Sequence, residues 1–260
     1  MIRSYKSEWI RFHKTARVGI AVMVGFVVLI SFMLFLGGDD MGPGGGGGHG
    51  GPLGGAADLA ADDGAVAALS TAANLIGVVA IALYALSVAR DFEWGTIRNL
   101  LVGQPRRAIL LSGKLLAVTS YVAVGVVAAG VVAALLAVSL APSQDISTDV
   151  WTVAGSLGTV GTTGIATVLY GLVGAVLAMV TRSAAISITA GVAYLLLIEN
   201  LLGLIWDSAG EWLPAGIISA FAVGGTASVP FERALVLATG YAILGLAVMY
   251  VTFLKRDVTD

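Results

Sequence analysis

The chain has 260 residues, of which 58% are hydrophobic and only 12% carry a charge, and its mean hydropathy is +0.95. So few polar side chains cannot cover the surface of a water-soluble globule, which excludes a soluble enzyme or binding domain and indicates a membrane protein. The net charge is −2, and the chain contains no cysteine. Disulfides and thiolate metal sites are therefore excluded as well.

Six stretches of the chain are long and apolar enough to cross a bilayer. A helix rises about 1.5 Å per residue, so about 20 apolar residues are needed to cross about 30 Å of hydrocarbon. The alternating pattern of a membrane β-barrel strand does not occur. We therefore predict an all-α membrane protein with six transmembrane helices. They span residues 18–36, 66–89, 115–140, 155–180, 184–206 and 234–254.

Residues 1–17 precede the first of these stretches and form a unit of their own. Tyr5, Trp9 and Phe12 recur at spacings of four and three residues, while charged side chains occupy the other faces. This spacing predicts an amphipathic helix that lies flat in the headgroup layer before the chain turns into the membrane. The alternative is a basic, partly ordered tail that only sets topology. The apolar run that follows is too long for a signal peptide, so we predict a retained helix.

Residues 37–65 separate the first two crossings and are dense in glycine and aspartate. Glycine at this density predicts a flexible, solvated loop. The glycines do not form a nucleotide-binding loop, because no Lys-Ser or Lys-Thr pair follows them. His49 is the single histidine of this loop, and we predict no metal site there.

Residues 90–114 are far richer in polar groups than a simple connection requires. Phe92, Trp94 and Ile97 form the apolar side of a short amphipathic helix, and Pro105 must end that helix because proline has no amide proton to donate. A helix held parallel to the membrane offers a surface on which a soluble partner can push. The alternative is an interfacial anchor combined with a topology signal.

The basic residues are sorted by side. Thirteen of the 14 Lys and Arg residues lie in alternate gaps between the apolar stretches or at the edges of those gaps, and Arg233 is the exception. Basic segments stay in the cytoplasm during membrane insertion. The pattern therefore predicts cytoplasmic N and C termini and a cytoplasmic location for residues 90–114.

The segment 93–114 carries a motif that resembles the cytoplasmic segment between the second and third helices of ABC-2 type transporter permeases. The motif reads Glu-x-Gly-Thr-(Ile/Leu)-Arg-x-Leu-Leu, followed by Gln-Pro-x-Arg and then by a Gly-Lys that opens a helix. The matching residues are Glu93, Gly95, Thr96, Ile97, Arg98, Leu100, Leu101, Gln104, Pro105, Arg107, Gly113 and Lys114.

The architecture resembles the same family. The six crossings, the amphipathic N-terminal helix, the very short turn at residues 181–183 and the longer outside segment at residues 207–233 are all features of those permeases. The apolar piece at residues 213–221 is similar to one that re-enters the membrane or lies on the outer leaflet in that family. The glycine-rich first outside loop departs from the family pattern.

The resemblance implies a permease subunit of an ATP-driven transporter in a prokaryotic plasma membrane, and it favours export. A separate ATP-binding subunit would then drive the permease through a coupling helix between the second and third crossings. The residues to which the resemblance assigns this coupling are Glu93, Gly95, Thr96, Arg98, Pro105 and Arg107.

The resemblance also implies the partners. We expect an ABC ATP-binding subunit and a second permease chain, identical or related, within the lipid bilayer, and no nucleic acid. The chain lacks the GxxxxGK[ST] loop, because Gly113-Lys114 is followed by Leu115. We therefore predict no catalytic residue and no cofactor bound by this chain, with ATP and Mg²⁺ bound by the partner.

A few polar residues within the apolar stretches are candidates for the translocation path. Glu199 and Asn200 lie near the outer end of the fifth stretch, and Thr162 lies on a polar face of the fourth. A structural hydrogen-bonding role is the alternative for Glu199, and a bond to the backbone of its own helix is the alternative for Thr162. Two other functions stay open: an ion-coupled secondary transporter or channel, and a membrane anchor that recruits an ATPase without transport.

Overall fold

The computed structural model describes residues 2–36, 59–96, 106–144, 146–206 and 208–255, and it contains no strand within these ranges. Six of the described helices are long and apolar enough to span a membrane, which confirms the predicted all-α class and the number of crossings. The α-helices are α1 (Ile2–Leu36), α2 (Ala67–Thr71), α3 (Ala73–Glu93), α4 (Arg107–Leu140), α5 (Val153–Thr181), α6 (Ala184–Gly203), α7 (Ala209–Trp212), α8 (Pro214–Ala222) and α9 (Phe231–Lys255).

Helix α1 runs unbroken from Ile2 to Leu36, so the predicted turn after residue 17 is absent. Its first half is held along α4, because the Trp9 ring stacks on Tyr121 with 3.9 Å between centroids and the Tyr121 hydroxyl donates to the Trp9 carbonyl. At about 1.5 Å per residue, α1 and α4 each extend about 50 Å, more than the hydrocarbon thickness.

The second predicted crossing is divided in two. Residues Ala67–Thr71 form the short helix α2, and α3 starts at Ala73. The hydroxyls of Ser70 and Thr71 both donate to the Ala67 carbonyl, and such back-bonding bends helices. The apolar run 66–89 is therefore one hydrophobic stretch in the sequence but is divided between two helices in the structure.

Helices α1 and α4 pack side by side and run in the same direction. Ala129 and Ala133 on α4 are fully buried and belong to the same core as Met23 and Val27 on α1. Small residues at four-residue spacing allow two helix backbones to approach closely in a membrane. The stripe 125, 129, 133, 137 on α4 serves this purpose.

Helices α3 and α5 approach each other closely. A methyl group at Gly174 would overlap the backbone of Ile81. In the first half of α5, the small residues Ala154 and Gly158 are exposed instead, and a Cβ added at Gly158 would have no neighbour within 4 Å. The close approach of α5 to its neighbour therefore occurs in its second half.

Helix α8 is a nine-residue helix buried among α3, α5 and α9. Ile217, Ile218 and Phe221 are at most 2% exposed. After α8 the chain turns at Gly224 and Gly225, whose φ angles of 77° and 105° are readily adopted only by glycine. The chain then enters α9.

Candidate functional site

The end of α3 is attached to the start of α6 by Glu93. This glutamate is the last residue of α3, and its Oε1 accepts a hydrogen bond from the backbone N–H of Ala184 at 2.6 Å. Ala184 is the first residue of α6. A carboxylate in this position satisfies an otherwise free N–H and lies at the positive end of the helix dipole. Glu93 therefore links two transmembrane helices.

The chain turns immediately after Glu93. Gly95 has a φ of +63°, a conformation that costs an ordinary L-residue about 1–2 kcal/mol. The hydroxyl of Thr96 reaches back and donates to Asp91 Oδ1 at 3.1 Å. Trp94 lies between Glu93 and Gly95 in the chain, and its ring is 68% exposed. The sequence-predicted residues Glu93, Gly95 and Thr96 thus form one compact turn.

The structure gives no side-chain contacts for the other three residues that the resemblance assigns to coupling. Arg98 and Pro105 lie outside the described residues, as does most of the predicted amphipathic helix. Arg107 is the first residue of α4, and only its backbone is described. The short helix between the second and third crossings therefore stays a prediction.

A buried charge cluster lies beside this turn and joins α1, α3 and α4. It consists of Glu8, Asp91 and Lys114, which are buried, and of Arg11 at its solvent-exposed edge. Lys114 Nζ lies 2.6 Å from Asp91 Oδ2 and 3.0 Å from Glu8 Oε2, and Arg11 lies 3.2 Å from Glu8 and 3.3 Å from Asp91. Two positive and two negative charges balance, which is the condition under which charged groups are tolerated in a protein interior.

Sequence reasoning missed this cluster. Lys114 was recognised only as part of a motif, and Asp91 only as the polar side of a short helix. The available signal is that Glu8 is the single acidic residue among the first 17. A charge next to an apolar helix usually has a partner of opposite sign, but no pattern indicates which one.

A small cavity borders the cluster. Its volume is about 20 Å³ and Asp91 and Lys114 form part of its wall, together with apolar side chains of α3, α4, α5 and α9. This volume is close to the minimum that one water molecule needs. It is too small for a transported molecule.

The turn between α5 and α6 also contacts the end of α3. Arg182 is held at a φ of 56°, and its guanidinium lies 5.8 Å from the ring centroid of Phe92. Only Arg182 and Ser183 separate α5 from α6, so the very short connection expected at residues 181–183 is present. The end of α3 therefore contacts the first residue of α6 through Glu93 and the turn before α6 through Phe92.

The candidate path residues do not meet around an open passage. Glu199 is buried, and its carboxylate accepts hydrogen bonds from the backbone N–H groups of Ala215 and Gly216 at the start of α8. Thr162 on α5 donates to the Ala222 carbonyl at the end of α8, at 3.1 Å. Two of the three residues thus hold the two ends of α8.

Asn200 behaves differently from its neighbour. Its side chain is exposed and donates to the Leu196 carbonyl of its own helix at 3.0 Å.

Arg233, the basic residue that departs from the charge pattern of the sequence, forms an ion pair. Arg233 lies 3.3 Å from Glu211 and its guanidinium lies 4.8 Å from the ring centroid of Trp212. Arg233 therefore contributes no net charge to its end of the bundle.

Six long apolar helices, with charged residues concentrated towards their ends, define a multi-pass membrane protein. Residues 53–259 match a family described as protein of unknown function (DUF2705), and the chain belongs to that family. No curated protein matches the chain.

Proposed function

We propose that this chain is the membrane-spanning permease subunit of an ATP-driven exporter of the ABC-2 type, coupled to a separate ATP-binding subunit. The observation that carries the proposal is the set of contacts made by the end of α3. Glu93 bonds the start of α6, and Asp91 pairs with Lys114 of α4 and Arg11 of α1. A force on the segment after α3 would reach three transmembrane helices directly.

In this mechanism the partner binds ATP and Mg²⁺ and moves against the segment after α3. Trp94 is the exposed aromatic residue of that segment, and tryptophan is among the residues that contribute most to protein interfaces. The buried charges make the link stiff, because separating Asp91 or Glu8 from Lys114 would leave a charge unpaired in an apolar surrounding. Two permease chains enclose the path.

The positions of the buried charges support this function over an ion-coupled carrier. Among the described residues, Glu8, Asp91 and Lys114 are buried at one end of the bundle, and Glu199 is buried where α6 meets α8. Ion-coupled carriers place ionisable groups or broken helices near the midplane. A pure anchor for an ATPase would share the contacts of α3 but would move no substrate.

We place the protein in a prokaryotic plasma membrane, with the end that carries the charge cluster in the cytoplasm. The support is the sequence asymmetry of the basic residues, which marks the cytoplasmic side. The N-terminal part of α1 then lies at or beyond the cytoplasmic headgroups.

The proposal is tested by co-purification from native membranes in mild detergent. We expect the intact chain to retain an ATPase with a Walker motif, and Trp94→Ala to retain at least about tenfold less, because truncation of a central interface tryptophan typically costs 2 kcal/mol or more. Trp206→Ala is the matched control, since Trp206 is also half-exposed but lies at the other end of the bundle. It should retain the ATPase fully.

Two outcomes would contradict the proposal. If the intact chain retains no ATPase, the chain is not a permease subunit of this type. If the ATPase is retained but ATP moves no substrate across vesicles that contain the complex, the anchor function is the better description. Equal retention of the ATPase by Trp94→Ala and Trp206→Ala would show that the ATPase does not dock at the end of α3.

A further inference from the structure

Helix α8 is held in the bundle at both of its ends. At its start, the Glu199 carboxylate accepts the N–H groups of Ala215, at 3.0 Å, and of Gly216. At its end, Thr162 donates to the Ala222 carbonyl. The start is the stronger attachment, because hydrogen bonds to a charged acceptor are stronger than neutral ones. Glu199 therefore makes the stronger of these two polar attachments.

Helix α6 carries an irregular turn directly before Glu199. Residues Tyr194–Ile198 form a π-helix, with regular α-helix on both sides. A π turn accommodates one extra residue within an α-helix and is frequent at functional sites. If this turn converts to α-helix, every later residue of α6 rotates by about 100°, the angle per residue of an α-helix. That rotation removes Glu199 from α8.

The surroundings of α6 allow this rotation. Only 22% of the most apolar 18-residue segment of α6 is buried. Leu197, Leu201 and Leu204, which flank Glu199, are between 58% and 80% exposed. Few packed contacts therefore oppose a rotation of this end, whereas the other end is fixed to α3 through Glu93.

We propose that the end of α6 is a latch for α8. With the π turn formed, Glu199 caps α8 and holds it in the bundle. With the turn converted to α-helix, Glu199 leaves and α8 is free to move. This inference rests on the proposed transport function, in which the latch regulates opening at the end of the bundle opposite to the ATPase. The bistable element is the π turn, and Glu199 is a positioning residue.

The absence of cysteine from the chain allows a clean test in intact cells. The reporter is Ala220→Cys, because Ala220 lies on α8 and is 4% exposed, so that its thiol reacts with a membrane-impermeant maleimide only when α8 moves. The rate of modification is measured in this parent and after adding Glu199→Ala, deletion of Leu197, or Glu232→Ala. Glu232 is an exposed glutamate on α9 and provides the matched control.

The two test variants have opposite expected effects. Glu199→Ala should accelerate modification at least about tenfold, because hydrogen bonds to a charged acceptor are worth at least that factor. Deletion of Leu197 removes the extra residue of the π turn and leaves Glu199 on α8, so the latch stays closed and modification should fall to background. Glu232→Ala should react at the parental rate. General unfolding cannot produce the slow reaction expected for the deletion.

The proposal is overturned if Glu199→Ala reacts within about twofold of the parent, less than the loss of one such hydrogen bond predicts. It is also overturned if the deletion reacts as fast as the parent, or if the parent does not react at all. These rates require no ATP-binding partner. A latch that behaves as expected in a chain that retains no ATPase would refute the proposed function alone, and retained ATPase with unchanged rates would refute the latch alone.

Discussion

Lys114 joins three helices at one end of the bundle. Its ammonium group touches carboxylates from two other helices, Glu8 on α1 and Asp91 on α3, and donates to the Ser87 carbonyl. All three charged side chains are at most 8% exposed. At this burial little solvent reaches the ammonium group to replace its partners, and among the described residues Arg11 is the second cation beside the carboxylates.

Replacement of Lys114 by methionine should destabilise the protein strongly. The variant keeps the volume of the side chain but leaves Glu8 and Asp91 side by side without their shared cation, which costs about 3–5 kcal/mol when one partner of a buried pair is removed. The measurement is the free energy of unfolding in mild detergent. Lys14→Met is the control, because Lys14 is exposed, and it should change stability by less than about 0.5 kcal/mol. Equal losses in the two variants would show that the cluster is not stabilising.

Glu93 and Glu199 illustrate how far the sequence alone identifies a bonding residue. Glu93 was selected by its motif and Glu199 by its position within an apolar stretch. Their bonding partners, Ala184 and Ala215, are 91 and 16 residues away along the chain. Backbone N–H groups have no side-chain signature, so the identity of the partner depends on where two helices meet.

The glycines of helix α5 have different surroundings at different points along the helix. Gly174 lies against the backbone of Ile81 on α3, and Gly158 faces open space on the same helix. No pattern in the sequence distinguishes the two glycines. Only the position of the neighbouring helix separates a packing glycine from a replaceable one.

Alanine at these two positions should therefore act in opposite directions. Gly174→Ala forces α3 and α5 apart and should destabilise the protein by about 1–3 kcal/mol, the usual cost of overpacking. Gly158→Ala adds helix propensity without a clash and should stabilise it by up to about 1 kcal/mol. Thermal unfolding of the two variants in detergent measures both effects. A stabilised Gly174→Ala would contradict the close approach of α3 and α5.

At the scale of the whole molecule, the two ends of the bundle differ in charge. The end that contains Arg11, Arg90, Lys114 and Arg182 is rich in basic residues. At the other end, Arg233 is neutralised by Glu211. An asymmetry of this kind orients a membrane protein with the basic end in the cytoplasm.

The orientation is measurable with single cysteines in the cysteine-free chain. Ala108 lies in the first turn of α4 and Ser147 lies in the segment that follows the other end of α4, and both are exposed. In intact cells an impermeant maleimide should label Ser147→Cys at once, and Ala108→Cys only after permeabilisation, because the proposed orientation puts the basic end in the cytoplasm. The reverse labelling would show that the bundle is inserted the other way.

The sequence by itself determined the class of the protein, the number of crossings and the sorting of charges, because these depend on the length of apolar runs and on the position of Lys and Arg. It did not determine that α1 continues through residue 17, that α2 separates from α3, or that Glu8, Asp91 and Lys114 form one cluster. Those features depend on which helices lie side by side. Inside an apolar bundle, the partner of a charge or of a free N–H is whichever group the packing places within about 3 Å of it.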